Sequence, residues 1–211
     1  MNIDTILFDL DGTLLDTNRL IHESFVYTLE QYGFQFSDEE ILQFNGPPLV
    51  HTFTELNPEK VDEMVQTYRT HNLARHDDYV TLFPNVKETL AQLKQKGIKT
   101  AVVSAKMRPG VDKGLQFTGI EPYFDTIVTI DDVHHPKPHP ESLQLAMDRL
   151  GSKQENTLMI GDNYHDIEAG NRAEVDTVAV SWTHKGIDFL KQYNPTYVID
   201  DMKQLLDIVG V

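Results

Sequence analysis

The 211-residue chain contains no cysteine. Disulfide cross-links, thiol nucleophiles and zinc–thiolate centres are therefore excluded, and a reducing compartment is compatible. Positive charge is scarce: 18 Lys and Arg stand against 33 Asp and Glu, a formal net charge of −15. A surface this acidic is a poor match for nucleic acid or an anionic membrane, so neither is expected as a partner. No apolar run approaches the roughly 20 residues that span a bilayer. Thr5-Ile6-Leu7-Phe8 is reached without a basic segment before it, so a secretory leader is not expected and a cytoplasmic location is. Repeats and low-complexity stretches are absent. Tryptophan occurs once, at Trp182, and is most simply a core or rim residue.

Hydrophobic residues make up 40% of the chain and charged residues 24%, an ordinary globular balance. Thr5–Phe8 is a short, non-alternating apolar run of the kind that forms a buried parallel strand. A helix is predicted from about Asn18 to Tyr32, with Ile21, Phe25, Leu29 and Tyr32 on one stripe. Ser37 and Glu40 have capping-box spacing, and Asn57-Pro58-Glu59 reads as the opening of a helix carrying Val61, Met64, Val65 and Tyr68. From Pro84 the pattern alternates. A helix over Val86 to Leu93 stops at Gly97. The strands Thr100–Val103, Thr126–Ile130, Thr157–Ile160, Thr177–Val180 and Tyr197–Ile199 are separated by helical segments, one spanning Pro140 to Leu150, one near Ile167 to Ala173 and the last capped by Asp200 or Asp201. Alternation of this kind predicts an α/β fold, a Rossmann-like parallel sheet flanked by helices. The catalytic core is expected over residues 1–15 and 82–211, with residues 16–81 inserted as an all-helical cap.

In an open parallel sheet, ligands gather beyond the carboxyl ends of the strands. The first strand runs into Asp9-Leu10-Asp11-Gly12-Thr13, the second into Ser104 and Lys106, and the fourth into Gly161-Asp162-Asn163 with Asp166 beyond; the loop after the third carries Pro136-Lys137-Pro138. Clustered carboxylates remain ionised together only around a cation, and Mg2+ is suited to a site with few carboxylates and retained waters. Asp9 and Asp162 fit that role. Lys137 offers a positive charge to a phosphoryl oxygen and to Asp9, Ser104 offers a hydroxyl, and Gly12 permits a tight turn that can aim amides at an anion. Phosphoryl transfer needs mainly positioning and charge neutralisation. A carboxylate can be its nucleophile, with a second one moving the proton.

These segments resemble the haloacid dehalogenase-like phosphatases, and the resemblance covers essentially the whole chain, cap included. It implies that Asp9 attacks phosphorus and that Asp11 is acid and base while its carbonyl joins Asp9 and Asp162 on Mg2+. Thr13 and Ser104 would hold phosphate, and Lys137 would steady nucleophile and phosphate. Asn163 and Asp166 would stand behind the metal, Asp166 directly or through water. The second carboxylate, Asp11, marks a phosphatase, since the family's dehalogenases lack it. Asn45-Gly46-Pro47-Pro48-Leu49, Thr129-Ile130-Asp131-Asp132-Val133, Gly161 to Asp166 and Val180-Ser181-Trp182-Thr183-His184-Lys185-Gly186 are similar to the family's bacterial inorganic pyrophosphatase branch, which is linked to dephosphorylation of the serine-phosphorylated carrier HPr. A small phosphorylated substrate is implied, with pyrophosphate favoured, and a cap closing over the cleft. In this cap type the loop holding Gly46 faces the active site, making Gly46 a candidate substrate contact alongside Lys106; Arg108 is a further one.

Competing readings remain at this point. Phosphoglycolate phosphatases share the cap and the four motifs. Sugar-phosphate mutases such as β-phosphoglucomutase share the cap but commonly carry a cationic residue in the loop that here holds Asn45 and Gly46. A phospho-accepting signalling domain would lack both Asp11 and the cap. Arg69, His71, Arg75 and His76 read as a mostly solvated helix end. The spacing of His134, His135 and His139 fits no compact metal site.

Overall fold

The computed structural model describes residues 3–45 and 47–210. They fall into two compact units, one within 1–16 and 81–211 and the other within 17–80.

The first unit is built on a six-stranded parallel sheet. Its strands are β1 (Thr5–Phe8), β4 (Lys99–Val103), β5 (Thr126–Val128), β6 (Thr157–Gly161), β7 (Asp176–Val180) and β8 (Tyr197–Ile199), in the order β5-β4-β1-β6-β7-β8. β1 pairs with β4 through Leu7 and Ala101, and with β6 through Leu7 and Met159. From β1 the chain builds outward through β4 and β5, then crosses to build the other way through β6, β7 and β8. The reversal lies at β1, and a parallel sheet opens a ligand crevice at the carboxyl ends around such a point.

Every residue of β1 is fully buried, because side chains alternate across a sheet that is covered on both faces. Leu7, Ala101, Val103 and Met159 point to one face. There they pack with Leu143, Ala146 and Met147 of α7 (Glu141–Leu150) and with Ala169 of α8 (Tyr164–Arg172). Ile6 and Phe8 point the opposite way, Phe8 meeting Phe124 edge-on at 6.1 Å between ring centres. The helices α5 (Val86–Gln95), α6 (Arg108–Thr118), α9 (Ile187–Lys191) and α10 (Gln204–Val209) complete the unit. Gly119 and Gly151 end α6 and α7 in left-handed backbone, the usual glycine stop.

The second unit holds α1 (Asn18–Gln31), α2 (Asp38–Gln43), α3 (Leu49–Leu56) and α4 (Val61–Tyr79). Phe25 is its centre, with ring centres of Tyr68, Phe44 and Phe53 at 4.8, 5.6 and 5.9 Å. The Ser37–Glu40 capping box forms, each side chain bonding the other's backbone N–H.

Some local expectations need correction. Residues 57–60 form a turn, and α4 opens only at Val61; Asn57 closes α3 instead. The third core strand ends at Val128, since Thr129 and Asp132 close a capping box around the short turn Ile130–Asp132. Helix α8 begins at Tyr164, three residues before Ile167. Neither Asp200 nor Asp201 is the N-cap of α10: Lys203 holds that position, and the Asp201 carboxylate accepts from the Lys203 N–H and from Asn85. Leu15–Asp16 (β2) and Thr81–Leu82 (β3) pair as a two-stranded antiparallel link where the chain leaves and re-enters the first unit. His76 is not solvated, and His71 is only partly so. His76 is fully buried and bonds Asp77 at 2.8 Å, and His71 stacks on Tyr27 and bonds Ser24.

The aromatic centre of the second unit yields a prediction. Phe25→Ala empties a fully enclosed site and is expected to lower unfolding stability by about 3–5 kcal/mol, measured by equilibrium denaturation. A loss below about 1 kcal/mol, the size of an Ile→Val change, would show that the cluster does not hold this unit together.

Candidate active site

Three strand ends and one loop meet at the reversal point. Asp9 extends β1, and its N–H still donates to the Ile160 carbonyl of β6 at 2.8 Å. Beyond it the chain turns back sharply, with the N–H groups of Leu14 and Leu15 both donating to the Leu10 carbonyl and that of Gly12 donating to Leu15. This turn sets Asp11 and Thr13 beside Asp9. Ser104 follows β4, its N–H bonded to Val128 of β5, and Asp162 follows β6.

At the centre is a buried chain of charges. Lys137 Nζ donates to Asp9 Oδ1 at 2.7 Å, to Asp166 Oδ1 at 2.7 Å and to the Val103 carbonyl at 2.8 Å. Asp9 and Lys137 are each only 8% exposed and Asp166 2%. Asp166 also serves α8: its Oδ2 accepts the Asn163 N–H, while the Asn163 side chain accepts from His165, making a capping box at the first turn. One carboxylate thus starts a helix and holds the lysine. The Thr13 hydroxyl is fully buried and 3.5 Å from Asp9 Oδ2, at the outer limit of a hydrogen bond. Ser104 is 5% exposed, and its hydroxyl accepts the Lys106 N–H. Lys106 Nζ lies 2.9 Å from Asp11 Oδ1.

Carboxylate oxygens of Asp9, Asp162 and Asp166 lie within 4.8 Å of one another. One ammonium cannot neutralise three such groups. Burial pushes the Asp9 carboxyl up; Lys137 pulls it back; Asp166 and Asp11 push it further, to about 7. Asp162 is raised well above the carboxylate range by burial, then by Asp9 and Asp166. Burial works against the Lys137 charge, but Asp166 and Asp9 outweigh it and hold the ammonium charged. A cluster of hard oxygen donors with this surplus of negative charge fits a divalent cation of the Mg2+ or Ca2+ type.

Two glycines let the carboxylates in. A Cβ on Gly12, whose φ is +84°, would stand 2.3 Å from Asp162 Oδ2; one on Gly161 would stand 2.2 Å from Asp166 Oδ2. Neither contact is physically allowed, so both positions need a residue without a side chain.

Of the residues expected from sequence, the structure brings Asp9, Asp11, Thr13, Ser104, Lys106, Lys137, Asp162, Asn163 and Asp166 to one edge. Gly46 lies outside the described residues. Arg108 is turned to Asp112 by its side chain and to Asp131 by its N–H. Two neighbours of the site carried no role in the sequence reading. Lys185, in the loop after β7, is half-buried; burial lowers its pKa, and the charge of Asp162 works against that. His165 is lowered by burial, with Asp166 opposing and Lys137 and Lys185 assisting. A lysine at the same sheet edge was the signal for Lys185. His134, His135 and His139 are not grouped together among the described residues, but His135 and His139 meet Glu141, with potential ligand atoms within 4.8 Å. The Glu141 carboxylate there already accepts the His134 and His135 N–H groups and the His135 ring, which fastens the loop before Lys137 to α7.

A doubly wound sheet with this carboxylate–lysine centre defines a hydrolase of the haloacid dehalogenase type. The chain belongs to the haloacid dehalogenase-like hydrolase family, whose model matches residues 6–180. It is 53% identical to pyrophosphatase PpaX of Oceanobacillus iheyensis, over all of this chain and 98% of that one. It is 49% identical to pyrophosphatase PpaX of Bacillus velezensis, over 99% and 97%. Among solved structures it is similar to a haloacid dehalogenase-like hydrolase of Bacteroides fragilis, with a TM-score of 0.90 and 30% identity over 96% of this chain and 99% of that one.

Pairing Gly12→Ala with Gly97→Ala tests the need for glycine beside Asp162. Gly97 has a similar φ of +74° but nothing within 4 Å of the added methyl. Both substitutions strain the backbone, and only the first displaces Asp162. Gly12→Ala is expected to cut phosphate release by roughly 100-fold, the scale of an ångström-sized misplacement, and Gly97→Ala to cost stability alone. Equal activity losses would show that strain, and not the Asp162 contact, is what matters.

Proposed function

We propose that the chain hydrolyses inorganic pyrophosphate to two phosphates through an aspartyl-phosphate on Asp9. The observation that carries the chemistry is the buried Asp9–Lys137–Asp166 chain with Asp162 beside it; the substrate rests on the full-length relatives named pyrophosphatase.

Lys137 occupies Asp9 Oδ1 and fixes the carboxylate, leaving Oδ2 to attack phosphorus. As the new O–P bond forms, the bond from phosphorus to the leaving oxygen breaks, and Asp11 gives that oxygen a proton. Asp11 then takes a proton from water, whose oxygen attacks the same phosphorus. The Asp9–phosphate bond breaks, freeing phosphate and restoring the Asp9 carboxylate and the protonated Asp11. Ser104 and Thr13 are assigned to the phosphoryl oxygens. Mg2+, held by Asp9, Asp162 and the Asp11 carbonyl with Asn163 and Asp166 behind them, would supply charge neutralisation of the phosphoryl group. Residues 17–80 are assigned to substrate selection as the inserted helical cap. The −15 charge supports a small phosphorylated substrate over nucleic acid, and the absence of cysteine accords with a cytoplasmic setting. Among the described residues no helix is long and apolar enough to cross a membrane.

The direct test is Mg2+-dependent phosphate release from pyrophosphate, phosphoglycolate and sugar phosphates, compared by kcat/KM. Pyrophosphate is expected to lead, and Asp9→Asn to lower turnover by at least about 1,000-fold through loss of the nucleophile. A fully active Asp9→Asn variant refutes the mechanism; a pyrophosphate value far below the others refutes the substrate.

Metal binding has its own signature. Because the Asp9 pKa is raised from 3.8 to about 7 on folding, the folded state binds the proton more tightly than the unfolded chain. Metal-free stability should therefore decline as pH rises from about 4 to about 7, and Mg2+ should restore it by competing for the same oxygens. The Tm increase caused by Mg2+ is expected to be larger at pH 8 than at pH 5. Equal increases at both would disconnect the metal from these carboxylates.

A further inference from the structure

An ammonium carries three N–H donors. Those of Lys137 are all committed, to Asp9, Asp166 and the Val103 carbonyl, so it has none to spare for a second phosphoryl group. Lys106 differs. Among the described residues its ammonium makes one hydrogen bond, to Asp11 Oδ1, and both side chains are 19% exposed. Two of its donors remain unspent among the described residues.

The rest of Lys106 is firmly held. Its N–H bonds Ser104 Oγ at 3.1 Å and its carbonyl accepts the Ile130 N–H. Its stem lies against Gly110 in the first turns of α6, where an added Cβ would come within 2.9 Å of Lys106 Cε. A buttressed lysine with unspent donors, one hydrogen bond from the carboxylate assigned to protonate the leaving oxygen, stands on the leaving-group side.

We infer that Lys106 is a specificity-determining residue that binds an anionic leaving group, the second phosphoryl of a diphosphate, while keeping its hold on Asp11. This deepens the reading of Asp11 as proton donor and rests on it. Charge neutralisation at this point favours pyrophosphate over esters whose leaving group is uncharged when bound. In a protein with a −15 charge, one such cation weighs heavily in that choice.

The test compares kcat/KM for pyrophosphate and p-nitrophenyl phosphate in the parent chain, Lys106→Met, Gly110→Ala and Asp11→Asn. Lys106→Met is expected to lower both values, but to lower the pyrophosphate-to-ester ratio by roughly 10- to 100-fold, the scale of a charge-assisted hydrogen bond. Gly110→Ala keeps the charge but displaces the stem. It should lower the same ratio more modestly, with Tm unchanged or raised because alanine favours a helix. An unchanged ratio in Lys106→Met, beside an inactive Asp11→Asn, overturns the Lys106 assignment alone. Full pyrophosphate activity in Asp11→Asn overturns the role of Asp11 and with it the location of the leaving group. A parent chain active on the ester and inert to pyrophosphate overturns the substrate reading.

Discussion

The site depends on one buried ammonium. Lys137 ties Asp9 to Asp166 at 2.7 Å on either side and anchors itself on the backbone of β4. Removing a partner from a buried ion pair leaves an uncompensated charge, a cost of roughly 3–5 kcal/mol. Such a group is therefore held in one geometry. Here that geometry fixes which oxygen of Asp9 is occupied and which is available. Lys137 alone does not cancel the charge of Asp9, Asp162 and Asp166, and that surplus is what fits a divalent cation and underlies the proposed phosphoryl chemistry.

The fold brings these groups together by topology. Because the sheet reverses direction at β1, residues distant in sequence, Asp9, Ser104 and Asp162, end at one edge. Asp166 reaches Lys137 because it is also the third residue of a capping box, and Glu141 fixes the loop before Lys137 from the start of α7. Glycine at 12 and 161 is the condition for the close approach of the carboxylates. Secondary structure, packing and chemistry thus use the same side chains.

Much of this was legible from residue order. Apolar runs ending in polar residues marked the strands and their functional ends, because a strand buried on both faces must be continuous and apolar. What escaped was set by three-dimensional partners. Asn57-Pro58-Glu59 carries helix-opening residues, yet the helix waits until Val61. Asn163 and Asp166 had capping-box spacing, but their link to Lys137 needs a loop arriving from β5. The donor count that separates Lys137 from Lys106 cannot be read in one dimension, since it depends on which acceptors the fold brings to each ammonium. The spacing of His135 and His139 disguised their closeness, because Glu141 at the start of α7 gathers the loop before it.

The central claim is that Asp9, held by Lys137, becomes covalently phosphorylated. It is tested most directly by mixing the Mg2+-loaded protein with radiolabelled pyrophosphate, quenching in acid within the first turnover, and mapping the label by peptide mass spectrometry. The account predicts one acid-stable, hydroxylamine-sensitive phosphoryl group on the peptide containing Asp9, formed before steady-state phosphate release. Rapid phosphate release with no protein-bound label, or label on another residue, would contradict it.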